Sequence, residues 1–399
     1  MPSDHALLAP SAAKRWMTCH PSALLESKEP RKDTPFTLEG TVAHALAERL
    51  LCFYRDRRML PAPDILKEVE GWGSQLDDLR QQASDLGADF DDMLVTVHDG
   101  YVSVVIMDYY EHERAYPDET FLMVEQRLDL SAYVPDGFGS SDAVLVSHNL
   151  MIVYDLKYGK GVKVFAQNNP QAMCYGLGAL IGPGEPYPVE EVELAIIQPR
   201  LHNDSRWRLS AQDLRWWGSA QLRPAAEKAF RGEGDLVPGD HCRFCAVAPK
   251  CKALAQKART LRVQGSDPGL MDPKELGELL GELDAIKTWV AQVESYALER
   301  ALQGNAIPGF KVVAGRSLRT IKDTAAAMLV LQRAGFDEAT YCKPKELKTI
   351  TDLEKLLKKK GFQELLGDFV VKPQGKPTLV PESDPRPELS SADMDFKDL

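Results

Sequence analysis

An aspartate and a lysine follow a strongly apolar run in the segment NLMIVYDLKYGKG, residues 149–161. The run that ends at Tyr154 has the composition of a buried strand, and strand alternation then places Asp155 and Lys157 on one face. A carboxylate beside an ammonium group can bind a cation and stabilise negative charge that develops on a substrate. Taken alone, this short pattern is equally that of a surface salt bridge at the end of a strand.

The preceding segment, GFGSSDAVLVS, predicts the other strand of a hairpin. If the turn is centred on His148–Asn149, paired residue numbers sum to 297, and Asp142 lies opposite Asp155 with β-carbons about 5 Å apart. Two like charges so placed repel each other, and a divalent cation between them is the simplest compensation. Mg²⁺ and Mn²⁺ prefer oxygen ligands of this kind. The hairpin therefore predicts a Mg²⁺ or Mn²⁺ site, with Lys157 placed to orient water or to stabilise developing charge.

Four short motifs occur in order along residues 40–175: GTVAH, GSSD, YDLK and QAMCY. In order and spacing they resemble the PD-(D/E)xK nuclease superfamily, specifically its RecB-like exonuclease branch. The resemblance implies an α/β fold with a restriction-endonuclease-like core, in which helices flank a mixed central sheet. It also implies a helical insertion in this core and an α+β extension after it.

The resemblance assigns a role to each matched position. His44, Asp142, Asp155 and the backbone carbonyl of Leu156 would be metal ligands, and Lys157 would be the catalytic lysine. In isolation, His44 is more typical of a helix histidine that a neighbouring residue satisfies than of a metal ligand.

Gln171 and Tyr175 would flank this centre as further catalytic residues, since a spacing of four places both on one helix face. The alternative is that they only pack at the surface of that helix. Glu125 lies on an earlier predicted strand, and we interpret it as a structural or supporting residue rather than a direct ligand.

Three cysteines, Cys242, Cys245 and Cys251, are closely spaced in HCRFCAVAPKC, and Cys19 lies near the start of the chain. One early and three late cysteines resemble the iron–sulfur RecB-like nucleases, including helicase–nuclease subunits and CRISPR-associated exonucleases. The resemblance implies a 4Fe–4S cluster held by four thiolates, which would join the two ends of the nuclease core. Zinc bound by the same four thiolates is the alternative.

Basic residues after the apolar strand predict a phosphate-binding groove for DNA, either single-stranded or at duplex ends. These residues are Lys160, Lys163, Arg200, Arg206 and Arg208. The alternative is ordinary solvated surface. The net charge of −11 means that any DNA-binding surface must be locally concentrated.

The chain of 399 residues is long enough for more than one folded unit. We expect a nuclease domain over 1–265 with a helical insertion at about 62–115. A helical segment over 266–304, a small mixed domain over 305–380 and a disordered acidic tail over 381–399 follow. Without a long apolar run or a signal-peptide pattern, a cytoplasmic protein is expected. The tail weakly resembles the acidic tips of single-strand-binding proteins, so a recombination or single-strand-binding protein is the expected partner.

These observations together predict a metal-dependent DNA exonuclease that serves phage recombination or repair. Two alternatives remain open at this point: a structure-specific endonuclease, and a catalytically inert DNA-binding or recombination scaffold. A helicase is not supported, because no GxxxxGK[ST] phosphate loop occurs in the sequence.

Overall fold

A computed structural model describes residues 6–30, 33–260, 273–315, 320–343, 346–371 and 375–381. The chain divides into two compact units, residues 1–272 and 273–399. Residue 265, the expected domain boundary, lies outside the described residues. So do residues 382–399, which make up almost all of the predicted tail.

The first unit is built on a mixed five-stranded sheet with strand order β1-β2-β3-β4-β5. The strands are β1 (Thr120–Asp129), β2 (Phe138–Ser147), β3 (Leu150–Leu156), β4 (Glu191–Gln198) and β5 (Asn203–Ser210). The pair β3–β4 is parallel, and the other three neighbouring pairs are antiparallel. The α/β architecture predicted from sequence is therefore confirmed.

Helices cover both faces of this sheet. They are α1 (Ala13–Thr18), α2 (Ser22–Glu26), α3 (Pro35–Arg57), α4 (Ile65–Glu70), α5 (Asp77–Asp85), α6 (Phe90–Val97), α7 (Ser103–Ala115), α8 (Pro170–Ile181), α9 (Ala211–Trp217), α10 (Arg223–Arg231) and α11 (Lys252–Thr260). The expected helical insertion corresponds to α4–α7. Two turns of π-helix lie at His98–Val102 and Gly218–Leu222.

Strand β3 separates two apolar cores, and all seven of its residues are buried. Its even-numbered side chains, such as Ile152 and Tyr154, pack with α3, α6 and α7. Its odd-numbered side chains, such as Met151 and Val153, pack with α8, α9 and α10. A strand covered on both faces by helices needs a continuous apolar sequence, which explains the run LMIVY.

Helix α8 is the crossover between the parallel strands β3 and β4. Asn169 caps it, because the side chain accepts hydrogen bonds from the backbone N–H groups of Gln171 and Ala172. Pro170 occupies the first helical position, where its missing N–H costs nothing. The cap therefore fixes the start of the helix at Pro170, one residue before Gln171.

The second unit contains a long helix, a small helical core and short strands. Its elements are α12 (Pro273–Leu302), β6 (Phe310–Gly315), β7 (Thr320–Ile321), α13 (Thr324–Arg333), α14 (Glu338–Tyr341), β8 (Cys342–Lys343), β9 (Glu346–Leu347), α15 (Ile350–Leu366), β10 (Val370–Val371) and β11 (Gly375–Pro381). The predicted α+β extension is therefore present. Among the described helices of the whole chain, none combines the length and apolar composition needed to cross a membrane.

Candidate metal centre

The β2–β3 hairpin has the register predicted from its sequence. Ala143 pairs with Tyr154, so paired residue numbers sum to 297, and one further step places Asp142 opposite Asp155. The turn contains His148 at a φ of 53°, in the left-handed region that tight hairpin turns use. The two aspartates are thereby brought to the same end of the same sheet face.

Two contacts fix the carboxylate of Asp142. The backbone N–H of Leu156 donates to Oδ2 at 2.6 Å, and Nδ1 of His44 on α3 lies 2.8 Å from Oδ1. Burial by itself lowers the pKa of His44, but the charges of Asp142 and Asp155 outweigh it and raise that pKa above its ordinary value. The structure thus brings together His44 and Asp142, as the motif order predicts.

Glu125 on β1 joins His44 and Asp142. The sequence pattern indicates only a structural or supporting residue at Glu125, and its position changes that interpretation. Val124 pairs with Ala143 in the β1–β2 register, which puts Glu125 opposite Asp142. Ligand atoms of His44, Glu125 and Asp142 all lie within 4.8 Å of one another. Glu125 is therefore a candidate ligand itself. An acid at the β1 position facing Asp142 was the sequence signal for it.

Glu125 has an unfavourable backbone conformation, and its surroundings disfavour the ionised form of its carboxyl group. Its φ of 50° lies in the left-handed region, which costs a residue with a side chain about 1–2 kcal/mol. Burial, then repulsion from Asp142 and Glu48, raises the pKa of its carboxyl group to about 7. Strain and like-charge repulsion at one residue are typical of functional sites.

The predicted ligand Asp155 is not part of the described group whose atoms lie within 4.8 Å of one another; it forms an ion pair with Lys157 at the end of β3. Nζ of Lys157 lies 2.7 Å from Oδ2 and donates a hydrogen bond to Oδ1 at 3.0 Å. Asp155 is only 5% exposed, and its Oδ2 has no hydrogen-bond partner of acceptable geometry among the described residues. Burial is the main cause that raises the pKa of Asp155; Lys157 opposes it and Asp142 adds to it.

Helix α8 contributes the other wall of the centre. Nε2 of Gln171 donates to the hydroxyl of Tyr175 at 3.2 Å, so the two motif residues do share a face. Burial and the charge of Asp155 raise the pKa of the Tyr175 hydroxyl well above its ordinary value. Tyr175 therefore borders the carboxylate cluster as a neutral hydroxyl.

The segment after β3 presents exposed lysines on a fixed backbone. The buried side chain of Gln198 accepts from the N–H of Val164 at 2.7 Å and donates to the carbonyl of Val162 at 3.1 Å. Lys160 and Lys163 are exposed on this anchored segment, which begins only three residues after Lys157. Their position beside the candidate centre agrees with the predicted phosphate contacts.

Arg200 lies close to this region but is already engaged. Its guanidinium is 2.7 Å from Oε1 of Glu39 on α3 and stacks 4.7 Å from the ring centre of Tyr158. It therefore joins the start of α3 to the segment that follows Lys157.

The predicted DNA contacts by Arg206 and Arg208 need correction. Tyr154, Ala195 and Arg206 lie in one row across β3, β4 and β5, and strand alternation puts this row on the face opposite Asp155. Arg206 pairs with Asp108, Glu193 and Asp204, and Arg208 pairs with Glu193 and Glu191. Both guanidinium groups thus neutralise acids on the far face of the sheet.

The four cysteines of the predicted cluster line one small cavity. Cys19, Cys242, Cys245 and Cys251 contribute to its wall together with Ser22 and others. Burial is the main cause that raises the pKa of Cys242, and it raises the pKa of Cys245 to about 12. Within the part of the chain that the structure describes, no three of the four sulfurs lie within 4.8 Å of one another.

Hydrogen bonds tie the segment around Cys19 to the cysteine loop. Oε1 of Glu26 accepts from the N–H of Ala246 at 2.8 Å, while its Oε2 accepts from Nε of Arg15 at 2.6 Å. Lys250 forms a further ion pair with Glu29. The two distant parts of the sequence are therefore held together by ordinary polar contacts as well.

Comparison with known proteins identifies a family and includes a distant structural similarity. The solved structure titled "Crystal structure of SSO0001" matches 61% of this chain and 95% of that chain, at 13% sequence identity and a TM-score of 0.25. A similarity at that TM-score carries no argument here. Residues 5–387 match the family described as "Protein of unknown function (DUF2800)". Because that match spans nearly the whole sequence, the chain belongs to the DUF2800 family.

Proposed function

We propose that this protein is a divalent-metal-dependent deoxyribonuclease that hydrolyses phosphodiester bonds and acts as an exonuclease. The observation that carries the proposal is the convergence of His44, Glu125 and Asp142 within 4.8 Å. The Asp155–Lys157 pair directly adjoins this group. The proposed role in phage recombination or repair rests on the sequence resemblance alone.

The chemistry of the donor set fits Mg²⁺ or Mn²⁺. Glu125, Asp142 and Asp155 are carboxylates, and His44 supplies an imidazole nitrogen, which Mn²⁺ also accepts. Asp155 is a buried carboxylate that pairs with Lys157. Burial is the main cause that raises the pKa of Glu125, to about 7, and of Asp155, and the charge of Asp142 raises both further. A bound divalent ion would stabilise these carboxylates, acidify a water molecule and stabilise negative charge on a phosphoryl oxygen.

The chain's own residues have separate roles in the proposed reaction. His44, Glu125, Asp142, Asp155 and, as implied by the resemblance, the carbonyl of Leu156 would hold the ion. Lys157 would orient the attacking water and place its positive charge where the phosphorane-like transition state is negative. Gln171 and Tyr175 would form the neutral wall that confines the phosphate. Lys160 and Lys163 would contact the phosphates of the bound strand.

The test is cleavage of end-labelled linear DNA with and without Mn²⁺. Asp142→Asn and Asp155→Asn each remove a ligand charge with little change in shape, so each should abolish cleavage. Arg208→Gln is the matched surface control and should cleave at the wild-type rate. Full activity in either aspartate variant would reject the assignment, as would equal cleavage in EDTA.

A circular single-stranded substrate separates the two modes of cleavage. An exonuclease requires an end and should leave the circle intact while it degrades the linear form. Cleavage of the circle at a comparable rate would favour the structure-specific endonuclease instead. Absence of cleavage of either form, with DNA binding retained, would favour the inert scaffold.

We further propose that Cys19, Cys242, Cys245 and Cys251 hold a 4Fe–4S cluster. Four thiols share one cavity, and the buried hydroxyl of Ser22 in its wall has no hydrogen-bond partner among the described residues. A tetrahedral zinc site with Zn–S bonds of about 2.3 Å needs sulfurs about 3.8 Å apart. Zinc bound by the same four thiolates is the alternative.

The cluster is tested by composition and absorption. Anaerobically purified protein should contain close to four iron and four sulfide ions per chain and show a broad visible shoulder. One zinc per chain with no visible absorption would replace the cluster by a zinc site. Neither result alters the test of the carboxylate centre.

A further inference from the structure

Tyr101 carries a hydroxyl group that the proposed reaction does not yet use. The side chain is fully buried, and its hydroxyl has no hydrogen-bond partner among the described residues. A buried hydroxyl without a partner destabilises a protein, so phenylalanine would be the more stable residue in the structure as it stands. The hydroxyl is therefore a feature that needs an explanation outside the packing of the core.

The backbone at Tyr101 directs this side chain into the core beside the candidate centre. Residues His98–Val102 form a turn of π-helix between α6 and α7, an arrangement that often occurs at functional sites. This turn packs against α3, which carries His44, and against β4. Gly100 lies so close to Pro199, at the end of β4, that an added β-carbon would come within 2.6 Å of Cβ of that proline. Since β3 and β4 are parallel, this is also the end of the sheet where Asp155 lies.

The acids of the centre act on the Tyr101 hydroxyl. Burial raises its pKa most, and the charges of Asp142, Asp155 and Glu125 raise it further. The hydroxyl therefore keeps its proton and is available as a hydrogen-bond donor. Asp155 already pairs with Lys157, so the Tyr101 hydroxyl is the donor in this region that has no partner among the described residues.

We propose that Tyr101 is a positioning residue of the metal centre, whose hydroxyl donates a hydrogen bond within the site when the divalent ion is bound. This inference rests on the proposed function, because it assigns the hydroxyl to the same carboxylate group. Hydrogen bonds of this kind orient metal ligands, and their loss commonly weakens metal binding 10- to 100-fold. The π-helical turn is the element that places the donor there.

The experiment measures Mn²⁺ binding by calorimetry and thermal unfolding in EDTA for Tyr101→Phe. The variant should unfold at the wild-type temperature or above it, because it loses an unpaired buried hydroxyl. Its affinity for Mn²⁺ should fall about 10- to 100-fold. A side chain that serves only the fold cannot produce this combination.

Tyr154→Phe is the matched control. Tyr154 is equally buried in the same apolar core, but its hydroxyl already donates to Asp108 at 2.8 Å. This control should unfold at a lower temperature and bind Mn²⁺ within about twofold of the wild-type affinity.

The possible results distinguish the role of Tyr101 from the proposed function. Wild-type Mn²⁺ affinity in Tyr101→Phe would overturn the role of Tyr101 and leave the proposed function standing. Loss of both stability and affinity in that variant would assign the hydroxyl to the fold and overturn the inference. If the wild-type protein itself binds no Mn²⁺, the inference fails together with the proposed function.

Discussion

At the scale of single residues, the centre concentrates negative charge that its surroundings only partly balance. Asp142 has His44 and the N–H of Leu156 as partners, and Asp155 has Lys157. Glu125 has no comparable cation, and its pKa of about 7 reflects that. The site is therefore expected to be sensitive both to proton concentration and to the loss of its one lysine.

Lys157→Met should lower the unfolding free energy in EDTA by about 1–3 kcal/mol. The reason is that Asp155, which is 5% exposed, then loses the cation that balances it. The double variant Asp155→Asn with Lys157→Met removes both charges and should recover part of that loss. Urea unfolding of the three proteins measures this, and an additive loss in the double variant would contradict it.

Glu125→Gln should remove a pH-dependent part of the stability measured in EDTA. The pKa of Glu125 is about 7 in the folded protein and about 4.5 when unfolded, so folding favours its protonated form. Its stabilising effect is therefore complete below pH 4.5 and is lost as the pH rises through 7. Thermal unfolding from pH 4.5 to pH 8 should show a smaller decline in the variant than in the wild type. Identical pH profiles would exclude this role for Glu125.

At the scale of elements, four secondary structures position the centre: the β2–β3 hairpin, β1, α3 and α8. The hairpin register places the two aspartates, and β1 adds Glu125 opposite Asp142. Helix α3 brings His44, while the capped start of α8 brings Gln171. The π-helical turn at His98–Val102 is a fifth element, since it packs against α3 and β4.

Gly100→Ala should destabilise the first unit by about 1–3 kcal/mol, because the added methyl would overlap Pro199. It should also weaken Mn²⁺ binding, since the π-helical turn must shift away from β4. Gly71→Ala is a suitable control, because its added β-carbon would meet only the carbonyl of Glu68, at an ordinary 3.6 Å. Calorimetric unfolding and Mn²⁺ titration of both variants would decide; equal effects of the two would contradict the packing argument.

At the scale of the whole molecule, a net charge of −11 makes the few correctly placed cations important. Arginines on β5 neutralise acids within the protein. The anchored segment after Lys157 instead exposes Lys160 and Lys163. DNA affinity is therefore expected to depend on a small number of phosphate contacts.

The double variant Lys160→Gln with Lys163→Gln should bind single-stranded DNA more weakly in EDTA. The logarithm of the DNA association constant decreases as the logarithm of the salt concentration increases. The size of this slope should become smaller by about 1.4, because each lost phosphate contact removes about 0.7. Arg208→Gln should leave both affinity and slope unchanged, since Arg208 pairs with Glu193 and Glu191. Fluorescence anisotropy over a salt series measures the DNA affinity and its slope. An unchanged slope in the lysine variant would show that DNA binds at another surface.

The proposed cysteine cluster would connect two distant parts of the chain, since residues 19 and 242 lie 223 positions apart. A link that closes so long a loop restricts the unfolded chain strongly. Cys245→Ser should therefore lower the unfolding temperature of the first unit by about 5–10 °C. The contacts of Glu26 and Lys250 should keep the variant folded at low temperature. An unchanged unfolding temperature, with iron absent from the variant, would show that the cluster does not support the fold.

The amino-acid sequence by itself determined the local parts of this site. The two-residue turn and the alternation of apolar residues fixed the β2–β3 register, which is paired from Ala143–Tyr154 to Ser147–Leu150. Asn169 and Pro170 fixed the start of α8. These features depend on neighbours a few residues away, where turn chemistry and side-chain periodicity are sufficient.

The tertiary structure decided which distant residues join that site and which do not. Glu125 became a candidate ligand because β1 pairs with β2, and Arg206 was excluded because its row faces away from Asp155. Tyr101 lies on a π-helical turn that no periodicity in the sequence indicates. Strand order, facing and helix packing depend on contacts between segments far apart in the chain, and a local pattern contains no information about its distant partner.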